Sequence, residues 1–188
     1  MTDAREMKLS QGERLILVML CEIYEKLGIK GDVDAKLVRS AINSGNLWGL
    51  QWRYQGIFDV EDKNREIVTQ VVKILDMWWV IESSYARFTK AEKEKVAASK
   101  TPFAKNVRFP GFDGNNEREH LSVAHFLIDD LDRFTGFRGR DLNSHMPSLG
   151  MYQRMLEVFE PMRPRWGGKD PSPDDVVELL QAAVPSKR

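Results

Sequence analysis

The chain has 188 residues with 28 acidic and 28 basic side chains, so it lacks the overall positive field of a protein held mainly by nucleic-acid phosphates. Its length and its 42% apolar content suffice for a full hydrophobic core in one domain. The single cysteine, Cys21, excludes an internal disulfide and any multi-cysteine metal site, and its apolar surroundings mark it as a plain buried thiol.

Residues 1–9 read as a polar tail without the basic-then-apolar pattern of a signal peptide, and no apolar run approaches the length of about eighteen residues that a membrane span needs. The expectation is a soluble, cytoplasmic protein with no membrane contact, residues 10–188 forming one helical domain. Ser10 followed by Glu13 makes a capping box, so a helix should start there. Leu15, Ile16, Met19, Leu20, Ile23, Tyr24 and Leu27 give it a broad apolar face that is expected to be largely buried, and Gly28 is placed to end it. A shorter helix is expected over 34–44, with Leu37, Val38, Ala41 and Ile42 inward and Gly45 as its stop. As a helix-turn-helix this pair is poor, because its second helix offers only Lys36 and Arg39 to phosphates. Trp48, Trp52, Tyr54 and Phe58 then crowd a dozen residues. They suit ordinary core or a subunit interface, and Trp48, Trp52 and Tyr54 are the candidate interface anchors.

The longest and most apolar helix is expected over 65–88. Ile67, Val71, Ile74, Trp78, Ile81, Tyr85 and Phe88 recur at steps of four and three, and Val68, Val72, Leu75 and Trp79 make a second stripe beside them. Two stripes are wider than an ordinary surface helix carries, so this element should be covered on most of its circumference. Thr89 and Glu92 make a fresh cap at a highly charged segment, read as a break or a solvated extension of the long helix, and 99–116 reads as a loop whose Phe103, Phe109 and Phe112 tuck into the body. A helix over 116–134 shows Leu121, Ala124, Leu127, Ile128, Leu131 and Phe134 on its inner side. After a second irregular stretch, Ser148 is placed to cap a helix carrying Tyr152, Met155, Leu156 and Phe159, which Pro161 and Pro164 end. The last helix starts at Ser172, with Pro173 at its first position and Asp174 and Asp175 in its first turn. No strand shows period-two alternation. The fold expected is all-α, a single multihelical domain of about six or seven helices around the long central one.

The polar residues offer few signals of chemistry. Asp113, Asn115 and Glu117 imitate the opening of a calcium loop, but Arg118 stands where its glycine belongs and Ala124 where its closing glutamate belongs. Glu117 and His120 have the spacing used in di-iron bundles, yet neither His125 nor His145 supplies the second such pair. His120 and His125 sit about 140° apart around a helix, which is wrong for a zinc pair. No metal and no cofactor are expected. Asp113, Glu117, Asn143 and His145 are the candidate residues for a hydrolase or nuclease site, against the alternative of hydrogen bonding inside their loops. Residues 112–132 hold six acids and one base, whereas 133–169 hold seven bases and three acids. Arg138, Arg140, Arg163 and Arg165 are the anion-binding candidates in the basic part, and the 113–117 turn is expected to lie against the 138–145 segment.

The run Phe109-Pro-Gly-Phe-Asp113, then Glu117, Arg133-Phe-Thr-Gly-Phe137, Asn143, Pro147 and Tyr152-Gln-Arg-Met-Leu156 resembles the YfbU-like family of bacterial proteins in order and spacing. Gly12-Glu-Arg-Leu-Ile-Leu17 and Ile74-Leu-Asp-Met77 also match, so the resemblance runs from about Leu9 to Val184, with inserts around 31–34 and 97–106 relative to shorter members. It implies a multihelical, cytoplasmic, oligomeric protein with no established activity, and it supplies no catalytic residues. Residues and resemblance together lead to a self-associating interaction module, a homo-oligomer that can also take another protein. A hydrolase or nuclease is the competing class, and anion or nucleic-acid binding by the basic 133–169 region is the third.

Overall fold

Several of the helices begin where a side chain satisfies free backbone donors. In the computed structural model, which describes residues 8–54 and 65–185, Ser10 Oγ accepts the Glu13 N–H at 3.2 Å and Glu13 accepts the Ser10 N–H at 2.7 Å. Helix α1 (Gln11–Lys26) starts from this box. The Asp34 carboxylate caps α2 (Ala35–Ser44) by accepting the Lys36 and Leu37 N–H groups, and Gly45 ends that helix in the left-handed conformation at φ 76°. A short α3 (Trp48–Arg53) follows, and then the long α4 (Arg65–Arg87). Phe58 lies outside the described residues. Thr89 and Glu92 form a second capping box at the start of α5 (Lys90–Ala98). Next come α6 (Arg118–His125), α7 (Leu149–Met162) and α8 (Pro173–Gln181), the last capped by Ser172 with Asp175. The described residues contain eight α-helices and no strand, so the fold is all-α. The count exceeds six or seven because α3 and α5 stand as helices of their own.

Two expectations about these elements are corrected. The helix expected over 116–134 stops at His125, and Phe126–Asp130 forms one turn of π-helix, with the Leu131 N–H donating five residues back to the Phe126 carbonyl at 3.0 Å. Asp132 and Phe134 then take left-handed backbone angles, φ 54° and 49°, which no helix tolerates. The second correction concerns α1. Leu15, Ile16, Met19, Leu20, Ile23 and Leu27 are between 51% and 69% exposed, so the face expected inside is outside. Cys21, on the other side, is buried, and burial pushes its thiol pKa up.

The chain divides into two compact units, residues 1–69 with 122–138 and residues 70–121 with 139–188, and two of the three divisions fall within α4 and α6. In the first unit α2 packs against α1, α3 and the π turn. Trp48 meets Phe126 edge-on with centroids 5.5 Å apart, and its indole N–H donates to Asn46 at 2.9 Å. Phe126 comes so close to Gly49 that a Cβ there would lie 2.0 Å from its ring. Only glycine fits.

In the second unit α8 packs against α5 and α7. The α4 residues Val71, Ile74, Leu75, Trp78 and Ile81 are fully buried, as their stripes require. Trp79 departs from the second stripe and is 42% exposed, because it lies at that stripe's outer margin. Trp78 is the centre of an aromatic cluster: Phe103, Phe109 and Tyr152 lie 5.5, 5.9 and 6.4 Å from it by centroid.

Candidate functional site

Glu117 is the residue on which the polar part of the second unit is built. Its side chain arises just before α6, is 6% exposed and accepts four hydrogen bonds. Oε1 takes the Ser148 and Leu149 N–H groups at 2.6 and 2.8 Å, and Oε2 takes the Ser148 hydroxyl and the Asp113 N–H at 2.6 and 2.9 Å. Burial alone would push this carboxyl up, but the donors from Ser148, Asp113 and Leu149 outweigh it and hold its pKa below the ordinary glutamate range. The serine expected to cap α7 therefore does not: its hydroxyl turns to Glu117, and the α7 start is capped from 31 residues upstream. A carboxylate at that helix end also meets the favourable pole of the helix dipole.

Around this node the two loops are joined by backbone. The Phe112 N–H donates to the Leu142 carbonyl at 2.8 Å and the Ser144 N–H to the Phe112 carbonyl at 3.0 Å, an isolated parallel bridge between Phe112 and Asn143. Asn143 Oδ1 accepts the Gly114 and His145 N–H groups, both at 3.0 Å, so the 113–117 turn does lie against the 138–145 segment, through Asn143. Gly111 makes the approach possible. It sits at φ 91°, and a Cβ there would meet the Leu142 carbonyl oxygen at 1.8 Å. The Gly111 carbonyl accepts from the buried Tyr152 hydroxyl, whose pKa burial raises well above the phenol value.

The candidate catalytic residues fall into this arrangement unevenly. Asp113 is 1% exposed, and its carboxylate accepts from the Asn116 amide and the Asn115 N–H. Those two bonds lower its pKa, burial opposing them. Asn143 is committed to the turn and His145 is exposed, 3.8 Å from Asp141. Asp113, Glu117 and Asn143 thus come together, but with their acceptors taken by donors of the same loops. His120 is drawn elsewhere, its Nε2 2.9 Å from Gln70, and burial lowers its pKa. Among the described residues no three His, Cys, Asp or Glu side chains converge to hold a metal. In the sequence Ser148 is read only as a helix cap and Tyr152 only as an inward helix position, and nothing there marks the Gly111 carbonyl as an acceptor.

The basic candidates are mostly occupied. Arg138 donates to the Ile128 carbonyl and pairs with Asp132. Arg140 lays one guanidinium nitrogen on both Glu82 oxygens at 2.8 and 2.9 Å, Arg163 pairs with Asp76, and Arg165 is exposed. Of the aromatic candidates, Trp48 is 4% exposed and belongs to the first unit's core. Trp52 is 43% exposed, and the Tyr54 hydroxyl accepts the Asp34 N–H at 2.8 Å.

Taken together, the helical architecture and a node of loop-to-helix hydrogen bonds define an all-α, multihelical protein. The sequence matches the YfbU domain over residues 7–176, and the chain belongs to that family. It is also similar to a UPF0304 protein of Methanocaldococcus jannaschii, with 37% identity over 57 residues, which is 28% of this chain and 34% of that relative. The matched stretch therefore spans about a third of the relative's length. No helix among the described residues is long and apolar enough to cross a membrane.

Proposed function

We propose that the protein is a self-associating helical module, joined through the outward apolar face of α1 to a second copy of itself. The observation that carries this reading is the orientation of α1, which docks on its own unit by the side bearing Cys21 and turns its Leu, Ile and Met stripe to solvent. A lone soluble chain would gain by the opposite rotation, since each such side chain is worth about 1.5–3 kcal/mol when buried. At about 25 cal/mol per Å² those energies correspond to roughly 100 Å² each, so the six residues offer about 600 Å² and Ile29 and Val33 extend the patch. That approaches the roughly 800 Å² per partner of a standard interface and exceeds an ordinary surface patch.

Catalysis at the loop node has less support. A general acid or base needs a free lone pair or proton, and the four donors on Glu117 leave it neither.

Light scattering at micromolar concentration is the test. The expected mass is at least twice 21.7 kDa, and Leu20→Lys, at a position 53% exposed, should reduce it to one chain with the helical spectrum unchanged and a urea midpoint that no longer rises with protein concentration, as the wild type's should. A wild-type mass of one chain across the whole concentration range would overturn the proposal, whether α1 is then free or covered by another segment of its own chain.

A further inference from the structure

Beyond the node, the second unit holds a cleft of about 930 Å³ between the end of α5, the segment 100–110 and Asp141. That volume lies at the upper end of the range of small-molecule sites. Its walls are mainly apolar, with Phe103, Phe109 and Ala98 among the lining residues. Lys100, Lys105 and Arg108 line it as well, against one acid, Asp141. Among the described residues none of these three cations has an ion pair or side-chain hydrogen bond, whereas Arg138, Arg140 and Arg163 are each matched to a carboxylate. Asp141 is partly engaged already, accepting the Asn143 N–H at 2.9 Å. Three cations that no carboxylate matches therefore line this cleft against one acid.

The lining is also held in place before any ligand arrives. The Phe109 N–H donates to Glu82 at 2.6 Å, and Glu82 is fixed in turn by Arg140, a pair whose side chains are only 16% and 23% exposed. Phe103 meets Trp78 edge-on, with ring planes at 90°. Lys100 and Phe103 both have left-handed backbone angles, φ 56° and 64°, which bulky side chains rarely adopt. Lys100 takes its angle directly after the α5 C-cap, and two overlapping turns, with the Ala104 N–H on the Thr101 carbonyl and the Asn106 N–H on the Phe103 carbonyl, keep that of Phe103. Strain kept in place beside a cleft is a feature of binding sites.

We propose that this cleft binds an amphiphilic anion: an aryl or medium-chain acyl group against Phe103 and Phe109, with one carboxylate, sulfonate or phosphate held by Lys100, Lys105 and Arg108. Apolar walls alone would take a neutral ligand, and cations alone would take inorganic phosphate. Their combination selects a molecule that carries both groups.

Octanoate, octanol and inorganic phosphate separate these cases, each titrated into the full chain at low salt and followed by amide chemical shifts. Octanoate is expected to shift residues 97–110, and octanol and phosphate to bind at least about tenfold more weakly. The double variant Lys105→Glu with Arg108→Glu should weaken octanoate by about tenfold or more, a loss that added salt reproduces in the wild type. Ala98→Trp, at an exposed edge of the cleft, should block it without touching a charge. Because apolar anions also adhere to exposed apolar helices, Leu20→Lys in α1 serves as the control and should leave octanoate affinity unchanged. The proposal is overturned if octanoate shifts no amide of 97–110 below about 5 mM, if octanol binds equally well, or if the charge reversals and Ala98→Trp leave affinity intact in folded protein.

Discussion

Truncating Trp78 to alanine is expected to lower the unfolding free energy by about 2–4 kcal/mol. Large aromatic deletions from packed cores cost about 3–5 kcal/mol in lost transfer energy and residual cavity. Trp78 is fully buried, and the rings of Phe103, Phe109 and Tyr152 would all lose their shared neighbour. One contribution works the other way. The indole Nε1 is buried and has no acceptor among the described residues, so its removal relieves an orphan donor worth about 1–2 kcal/mol. Trp78→Phe isolates that contribution, because it keeps most of the apolar volume and deletes the donor; its cost should be under about 1.5 kcal/mol. Urea melts of both variants give the comparison. A loss under about 1 kcal/mol for the alanine variant would mean that the cluster is not the core of its unit.

Glu117→Gln is the second large effect, expected at about 3 kcal/mol although it changes one atom. The carboxylate accepts through both oxygens, and a glutamine amide presents NH₂ donors to N–H or O–H groups on one side. Each buried donor left without an acceptor costs about 1–3 kcal/mol; with the nitrogen on the Ser148 side the hydroxyl can turn to accept from it, but the Asp113 N–H is left unpaired and the remaining bonds lose their charge assistance. The pH dependence follows from the same bonds. With its folded pKa held below the unfolded value of about 4.3, Glu117 contributes stability that is present above that value and lost as pH falls through the folded pKa. Asp113, also lowered, contributes in the same direction. Wild-type stability should therefore fall as pH drops below about 4, and the Gln variant should show a shallower fall. Equal slopes in acid for the two proteins would show that Glu117 gains nothing from its four donors.

How far the sequence was legible depends on the range of the interactions involved. The capping boxes at Ser10 and Thr89 and the stop at Gly45 are settled within one turn of helix, and they stand where local rules place them. The long helix was equally plain, because two stripes of large apolar residues have few other arrangements. Ser148 misled because the true cap, Glu117, lies 31 residues away, and no local rule weighs a distant carboxylate against an adjacent serine. The π turn was hidden for a different reason. It inserts one residue into a helix without glycine or proline to mark it, and apolar spacing tolerates the shift. For α1 periodicity located the apolar face correctly but could not say whether protein or solvent covers it. The Glu117 node was legible only as an odd cluster of polar residues, since its meaning rests on Ser148, Leu149 and Gly111, none of which carries a chemical signature.

The broken chain path of the first unit has a consequence for how the protein is made. Asn46, beside Trp48, completes its hydrogen bonds with Ser122, 76 residues further along, and the ring that closes over Gly49 arrives four residues later still. At a synthesis rate of about 5–20 residues per second, the nascent first three helices wait roughly 4–15 s for the segment that finishes their core. During that interval Trp48 and the apolar face of α1 are uncovered together, so the ribosome-bound chain offers far more sticky surface than the finished one. Slower translation would lengthen that window, and nascent chains held on one message would have time to meet through the very helix that faces outward in the completed fold.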